Sequence, residues 1–259
     1  MKLVLAVITL LVATTMTRAA VHTEAVTYKH GDVTLEGFLA YDDSLPGRRP
    51  GVLVVHEWLG LNDYAKKRAE MLAQLGYVAF ALDMYGKGVR ATSPQDGPKL
   101  SAPYKNDRKL MRARAAAGLE VLRKHARVDA KRLAAIGYCF GGTCALELAR
   151  GGADLAGVVS FHGGLDTPSP ADAKNIKGKV LALHGADDPF VPPAQVAAFE
   201  DEMRKAKVDW QLVKYGGAVH SFTNKDAGND ASRGAAYNAK ADQRSWEAMK
   251  GFFNELFPK

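Results

Sequence analysis

Strand-like and helix-like runs alternate from Gly51 to the end of the chain, and this alternation restricts the fold more than any other feature of the sequence. Buried strand-like runs occupy residues 52–56, 133–136, 155–161, 180–184 and 210–215. Helix-like runs lie near residues 63–75, 106–125, 142–150, 193–206 and 232–256. A repeated strand–helix order predicts an α/β fold, with a mostly parallel sheet covered by helices on both faces.

Two other segments stand outside this alternation. Residues 26–28 and 33–41 are strand-like and are joined by turn-forming residues, which predicts an N-terminal antiparallel hairpin. Residues 84–105 are rich in Gly, Pro, Ser and Tyr and are too long for an ordinary connection. We therefore expect this segment to form a lid or a wall over a site.

The first residues have the character of a secretory signal peptide. A positive start at Lys2 precedes an apolar run from Leu3 to Val12, and small residues follow near Ala19. The run is too short to span a membrane, so we predict a signal peptide over 1–19 and one domain over 20–259. A buried N-terminal strand is the alternative. The mature protein is expected in the periplasm or outside the cell, free of the membrane.

Composition excludes several classes of function. The formal net charge is +7, but the basic residues are spread along the chain without interleaved aromatic residues, so a nucleic-acid groove is not indicated. The two cysteines, Cys139 and Cys144, cannot form a disulfide framework or a tetrahedral metal site. We expect a monomer that acts on a small molecule without a metal or an organic cofactor.

The sequence Gly-Tyr-Cys-Phe-Gly-Gly at 137–142 links a strand-like run to a helix-like run. This is the context of a nucleophile elbow, with cysteine at the position of the nucleophile. Small residues on either side of Cys139 allow the strand and the helix to pass closely. The sulfur would then lie at the positive end of the helix, which favours a thiolate. A buried structural cysteine beside a glycine-rich turn is the alternative.

A nucleophile needs a base and a group that orients the base. Asp188 follows the strand-like run 180–184, and His220 follows the run 210–215, which is the expected order of acid and histidine after a nucleophile elbow. Asp187 is interpreted as a turn residue. Structural roles remain the alternative for such residues. His162, at the end of the run 155–161, could line the floor of the site.

Glu57 stands at the end of the strand-like run 52–56, where an ionisable residue is costly unless it has a use. A carboxylate beside a thiol can hold the proton of the thiol and release the sulfur when a substrate displaces it. A salt-bridged glutamate at the start of a loop is the alternative. The backbone N–H groups of Trp58 and Phe140 are candidates for an oxyanion hole.

These segments together resemble the dienelactone hydrolase family of the α/β-hydrolase superfamily, from about His22 to the C-terminus. The resemblance rests on five segments in the same order, namely residues 56–60, residues 83–85, the Gly-x-Cys-x-Gly-Gly elbow, Asp188 and residues 220–222.

The resemblance implies a triad of Cys139, His220 and Asp188, with Glu57 as the partner of the resting thiol. When substrate binds, Glu57 is implied to swing toward the proton, and the thiolate then pairs with His220. Cys139 would attack an ester or lactone carbonyl and form a thioester, which water and His220 hydrolyse.

The chain departs from the family pattern at the two arginines that bind a substrate carboxylate. Lys87 and Asn224 stand at those positions, and neither side chain provides the planar two-point contact of arginine. The candidate pocket residues are Tyr85, Lys87, Phe161, Phe190 and Asn224. A general carboxylesterase or thioesterase, and a non-catalytic binding protein on a hydrolase scaffold, remain alternatives.

Overall fold

The computed structural model describes residues 21–93 and 95–258, and its centre is an eight-stranded sheet. The strands are β1 (Val21–His30), β2 (Val33–Asp42), β3 (Arg49–Val55), β4 (Val78–Leu82), β5 (Val128–Tyr138), β6 (Gly157–Phe161), β7 (Lys179–Gly185) and β8 (Trp210–Tyr215). Their order across the sheet is β1-β2-β4-β3-β5-β6-β7-β8. The predicted signal peptide over 1–19 lies outside the described residues.

Strand direction divides the sheet into two parts. β1 pairs antiparallel with β2, and β2 pairs antiparallel with β4, whereas β3 to β8 run parallel. The predicted mostly parallel sheet with an N-terminal hairpin is therefore confirmed. β1 begins at Val21 rather than at residue 26, because it pairs with β2 along its full length, from Val21 opposite Asp42 to His30 opposite Val33.

Helices cover both faces of the sheet, as the alternation predicts. They are α1 (Asp63–Gln74), α2 (Gly97–Asn106), α3 (Arg108–Lys124), α4 (Phe140–Arg150), α5 (Pro193–Ala206) and α6 (Ala239–Leu256). The apolar sides of α1 and α6 pack on one face, and those of α2 to α5 pack on the other. Among the described residues, no helix combines the length and the apolar character that crossing a membrane requires.

Strand β3 illustrates how one strand serves both cores. Val52 and Val54 pack toward α1 and α6, whereas Leu53 and Val55 pack toward the opposite helices. Successive side chains of a strand point to opposite faces, so a strand buried on both faces is apolar at every position. This is why β3 appears in the sequence as an unbroken apolar run.

Two segments differ from the prediction made from sequence. Residues 84–105 are not a loop throughout, because they contain most of helix α2, which has Pro98 near its start and Pro103 within it. Proline disfavours a helical interior, and it concealed the helix in the sequence pattern. Helix α6 begins at Ala239 rather than at residue 232, because the Asn238 side chain accepts a hydrogen bond from the Ala241 N–H and caps the helix there.

A buried ion-pair network joins α4 to α5. The Arg150 side chain is fully buried and donates two hydrogen bonds to Glu202, at 2.8 and 2.7 Å, and one to Glu147 at 3.1 Å. We expect Arg150→Met to lower the free energy of unfolding by about 3–5 kcal/mol, because Glu202 would keep its buried charge without a cation. Denaturant unfolding measures this change.

The matched control is Arg204→Met. Arg204 lies on α5, the helix that carries Glu202, but its side chain is 61% exposed and its pair with Asp201 is exposed as well. Exposed pairs contribute little, so this variant should stay within about 0.5 kcal/mol of the wild type. Equal stabilities of the Arg150 and Arg204 variants would contradict the proposed importance of the buried network.

Candidate active site

Cys139 lies on a sharp turn between β5 and α4. Its backbone has φ +54° and ψ −118°, a conformation that costs energy for any residue other than glycine. The neighbouring glycines are required because a side chain has no room at either position. A Cβ atom on Gly137 would clash with the Gly141 carbonyl, and one on Gly141 would clash with the Val55 carbonyl. The sequence therefore permits an elbow that presents the thiol at the N-terminus of α4.

Asp188 and His220 lie in the loops that follow β7 and β8. The Nδ1 atom of His220 is 2.7 Å from Oδ2 of Asp188, and Oδ1 of Asp188 accepts a hydrogen bond from the Phe190 N–H at 2.8 Å. Two hydrogen bonds therefore fix the carboxylate, which is buried. The neighbouring Asp187 accepts instead from the Gly217 N–H at 2.9 Å, consistent with its interpretation as a turn residue.

The pKa of His220 depends on its contact with Cys139. Burial lowers the pKa of His220, but the charge of the Cys139 thiolate and hydrogen bonds with Asp188 and Cys139 outweigh it and raise the pKa to about 10. A folded-state pKa above the usual 6.5 means that His220 stabilises the fold fully below pH 6.5 and loses this contribution as the pH rises through about 10. At neutral pH the raised pKa therefore keeps His220 protonated beside the sulfur of Cys139.

Glu57 is buried beside this pair but bonds to other residues. Its Oε2 accepts a hydrogen bond from Asn224 Nδ2 at 2.5 Å, and its Oε1 accepts one from Ser221 Oγ at 3.4 Å. Among the described hydrogen bonds, none joins Glu57 to Cys139. Burial raises the pKa of Glu57, although the bonds from Asn224 and Ser221 and the charge of His220 oppose the rise.

Two backbone N–H groups have the character of an oxyanion hole. Phe140 is the first residue of α4, and Trp58 lies in the turn that the Gly60 N–H closes on the Glu57 carbonyl at 3.2 Å. In the described part of the chain, neither the Phe140 nor the Trp58 N–H has a protein acceptor. Tyr85 donates a hydrogen bond from its hydroxyl to the Trp58 carbonyl at 2.9 Å and so supports this turn.

The five pocket candidates lie in different environments. Phe190 is 60% exposed, and its ring lies edge-on to His220 with centroids 5.4 Å apart, so it can contact a substrate. Phe161 stacks on Tyr138 in the core, and its carbonyl accepts the Cys139 N–H at 3.0 Å, so its side chain does not form an open wall. Lys87 pairs with Glu36 of β2 at 2.6 Å.

Asn224 and Tyr85 complete the set of candidates. Asn224 is buried, and its side chain bonds to Glu57 rather than standing open to a substrate carboxylate. Tyr85 is also buried, with its ring 5.8 Å from that of Phe140, and it contacts helix α2 through Tyr104 at 5.7 Å between centroids. The N-terminus of α2 packs closely on Trp58 at Gly97, so the predicted wall is partly helical.

His162, which the sequence suggested only as a residue of the site floor, has contacts that the sequence did not predict. It has φ +39°, is fully buried and bonds to both Cys139 and Thr223. Its position at the end of a strand beside the elbow was the only signal available in the sequence. Its partners depend on the packing of segments that are distant in the chain.

Within residues 21–93 and 95–258, no cluster of three His, Cys, Asp or Glu side chains could hold a metal ion. A cavity of about 590 Å³ is lined mostly by residues that precede β6, β7 and β8, including Lys177 and Lys207. It therefore lies at the opposite edge of the sheet from Cys139, which follows the carboxyl end of β5.

The fold and the site define an α/β-hydrolase. The model of the dienelactone hydrolase family matches residues 35–257, and the chain belongs to this family. Ester or lactone hydrolysis is the chemistry that membership supports.

Relatives of known structure or sequence span nearly the same length. The chain is 44% identical to a dienelactone hydrolase-like promiscuous phosphotriesterase, P91, from metagenomic libraries, with a TM-score of 0.87 over 92% of this chain and 99% of that one. It is 32% identical to a "Probable 2-oxo-3-(5-oxofuran-2-ylidene)propanoate lactonase" of Bradyrhizobium sp, over 74% of this chain and 82% of the relative. It is 30% identical to "Protein usf" of Aquifex pyrophilus, over 90% and 98% respectively.

Proposed function

We propose that this protein hydrolyses small esters or lactones with Cys139 as the nucleophile, His220 as the base and Asp188 as the residue that orients the base. The observation that carries the proposal is the His220–Asp188 hydrogen bond of 2.7 Å next to the strained turn of Cys139. Nucleophile, base and orienting group in this order are the components of covalent hydrolysis.

The reaction follows from these positions. The Cys139 sulfur attacks the carbonyl carbon, and the N–H groups of Phe140 and Trp58 stabilise the oxyanion. The imidazolium of His220 then gives its proton to the leaving alkoxide, and the C–O bond breaks to leave a thioester. His220 next removes a proton from water, whose oxygen attacks the thioester carbon. The C–S bond then breaks, so that the acid departs and the released thiolate pairs again with protonated His220.

The site favours a substrate without a carboxylate. Lys87 pairs with Glu36, and the Asn224 side chain is bound to Glu57. Neither side chain can therefore make the planar two-point contact with a carboxylate that an arginine makes. The exposed ring of Phe190 beside His220 provides an apolar contact instead. We infer a preference for neutral esters and neutral lactones over dienelactones, which carry a carboxylate.

Hydrolysis of matched substrates tests the proposed function. Wild type and Cys139→Ala would be assayed on p-nitrophenyl acetate, a neutral lactone and a dienelactone. Activity on the two neutral substrates that is lost in the variant supports the proposal. A higher kcat/KM for the dienelactone would contradict the preference for neutral substrates, and equal activity of the two proteins would contradict Cys139 as the nucleophile.

Phosphotriester hydrolysis is a second candidate activity. The similar protein P91 is described as a promiscuous phosphotriesterase, and phosphotriesters are also neutral. Attack of the Cys139 sulfur on phosphorus would expel the same kind of leaving group. Release of p-nitrophenol from a p-nitrophenyl dialkyl phosphate, absent in Cys139→Ala, supports this activity. Absence of release in wild type that hydrolyses p-nitrophenyl acetate excludes it.

The buried charge of Glu57 has a measurable consequence for stability. Because burial raises its pKa above the usual 4.5, the folded state holds the proton at a pH where the unfolded state has lost it. Stability therefore falls as the pH rises from 4.5 through the raised pKa. At a pH above the raised pKa of Glu57, we expect Glu57→Gln to be more stable than wild type, by about 1.4 kcal/mol for each pH unit by which the pKa is raised. Below pH 4.5 this difference in stability should disappear.

Denaturant unfolding across this pH range checks the prediction. Glu120→Gln is the control, since the Glu120 side chain is 51% exposed, and it should stay within about 0.5 kcal/mol of the wild type. The same Glu57 variant tests the contact with the thiol that the family implies. An unchanged rate of Cys139 alkylation would exclude Glu57 from control of the thiol, and a pH-independent difference in stability would contradict the role of its charge.

We also propose that residues 1–19 direct export and are removed, so that a monomeric domain over 20–259 acts outside the cytoplasm. The positive start, the apolar run and the small residues near Ala19 support this proposal. Mass spectrometry of the protein recovered from periplasm and medium tests it. An N-terminus at Met1 in all of the protein would contradict it, and size-exclusion chromatography measures the oligomeric state.

A further inference from the structure

His162 lies at the end of β6, between the turn that carries Cys139 and the loop that carries His220. We propose that His162 is a positioning residue for hydrolysis: in its neutral form it links the Cys139 turn to the His220 loop and so sets the geometry of the sulfur–imidazole pair. This inference rests on the proposed function. The arguments that follow use its hydrogen bonds, the backbone strain around it and its charge state.

The hydrogen bonds of His162 determine which nitrogen carries the proton. Its Nδ1 lies 3.1 Å from the backbone nitrogen of Cys139 and accepts that N–H, which it shares with the Phe161 carbonyl at 3.0 Å. The hydrogen is therefore on Nε2, which lies 2.7 Å from Oγ1 of Thr223, three residues after His220. One neutral tautomer satisfies both contacts, whereas a doubly protonated ring would lose the acceptor at Nδ1.

Backbone strain is concentrated around this ring. In the described part of the chain, four residues other than glycine have positive φ, namely Cys139, His162, Ser221 and Lys207. Lys207 ends helix α5, and the other three surround the site. Strained conformations persist only where neighbouring contacts hold them. His162 bonds to the first of the three and, through Thr223, to the segment that contains Ser221.

The far end of the link is anchored to helix α1. The Tyr64 hydroxyl lies 2.6 Å from Oγ1 of Thr223, and Arg68 donates a hydrogen bond to the Thr223 carbonyl at 2.8 Å. Both residues belong to α1. The chain of contacts therefore joins the elbow, the His220 loop and a helix on the sheet face opposite α4, which gives the link a rigid base.

A neutral His162 also allows the neighbouring His220 to stay protonated. Burial lowers the pKa of His162 well below its usual value, and the charges of His220 and Arg68 lower it further. The two imidazole rings are 5.3 Å apart between centroids. A cation at His162 would oppose protonation of His220. A neutral hydrogen-bonding ring thus positions the pair without disturbing its charge.

Three substitutions separate the two contacts of the ring. His162→Phe removes both nitrogens, His162→Asn retains an acceptor near Nδ1, and His162→Gln retains an amide near Nε2. Asparagine also tolerates positive φ. We expect His162→Phe to lower kcat on p-nitrophenyl acetate by about 100-fold, with KM within about threefold. His162→Asn should recover more of the loss than His162→Gln, because it keeps the bond to the Cys139 turn.

The His220 ring provides a readout that does not depend on turnover. Its pKa is raised to about 10 in part by the charge of Cys139 and by its hydrogen bond with Cys139. Without the link this pairing is weaker, so NMR titration of the ring in the substrate-free enzyme should give a lower pKa in His162→Phe than in wild type. His125→Phe is the control, since His125 ends α3 and contacts Tyr41 rather than the site. Both kcat and the pKa of His220 should be unchanged in this control.

Several outcomes would overturn the inference. They are a His162→Phe variant with wild-type kcat and a wild-type His220 titration, and a His162→Asn variant as slow as the phenylalanine variant. If circular dichroism shows that His162→Phe is unfolded, Thr223→Val takes its place, because it removes the far end of the link while keeping the shape of the side chain. Wild-type kcat and titration in Thr223→Val would then overturn the inference. A wild type that is inactive on all esters would contradict the proposed function, while the titration of His220 would still test the role of His162.

Discussion

Replacing Cys139 with alanine is expected to lower kcat for p-nitrophenyl acetate by about 10⁴-fold or more, since loss of a nucleophile removes the covalent pathway. The thiol stands on a strained turn next to His220, and its negative charge and hydrogen bond help to raise the pKa of His220 to about 10. Alanine removes both, so the pKa of His220 should also fall in the variant. Steady-state kinetics and NMR titration of the ring measure the two effects.

Cys144→Ala is the matched control for this experiment. Cys144 lies five residues further along the chain, within α4, and is fully buried in the core. Burial raises the pKa of its thiol well above the usual value. A thiol that stays protonated is a poor nucleophile. The control should retain wild-type kcat. Loss of activity in the Cys144 variant alone would reassign the nucleophile.

Asp188→Asn is expected to lower kcat by about 10⁴-fold while leaving the fold intact. The carboxylate accepts the Nδ1 hydrogen of His220 at 2.7 Å and thereby presents Nε2 as the base. An asparagine amide can donate to Nδ1 instead, which moves the ring hydrogen to Nε2 and leaves no base toward the sulfur. The pKa of His220 should fall as well, because the hydrogen bond and the charge of Asp188 both raise it.

Asp187→Asn provides a control one residue away. The Asp187 side chain accepts a hydrogen bond from the Gly217 N–H at 2.9 Å, and an asparagine oxygen can accept the same bond. Kinetics of both variants on one ester, together with unfolding curves, would separate catalysis from stability. Comparable losses of kcat in the two variants would contradict a specific role of Asp188.

The elements that could be read from the sequence are those with a local signal. Helix α5 and strand β8 have the predicted bounds, Pro193–Ala206 and Trp210–Tyr215. Both have a clear apolar pattern and clear breaks at their ends. Helix α2 was concealed by two prolines, and the first residues of β1 by their polar character, since an exposed edge strand requires few apolar residues. In each case, tertiary packing outweighed the local preference.

The candidate site also has a part that the sequence predicts and a part that it does not. The order of Cys139, Asp188 and His220 follows from turn chemistry at strand ends, because the carboxyl ends of parallel strands meet at one edge of a sheet. The partners of Glu57 could not be predicted in this way. Glu57 bonds to Asn224, which is 167 residues away in the chain, and this contact removes Asn224 from the set of open pocket residues.

The sequence by itself determined the class of fold, the family and the residue types available for catalysis, because hydrophobic periodicity and glycine positions are local properties of the chain. Only the tertiary structure decided that the His162 ring joins Cys139 to Thr223, that the Phe161 side chain belongs to the core and that Lys87 pairs with Glu36. These contacts join segments that are far apart in the chain. Their geometry is set by how the loops at the carboxyl ends of the strands pack together, and the hydrophobic periodicity of the sequence does not predict that packing.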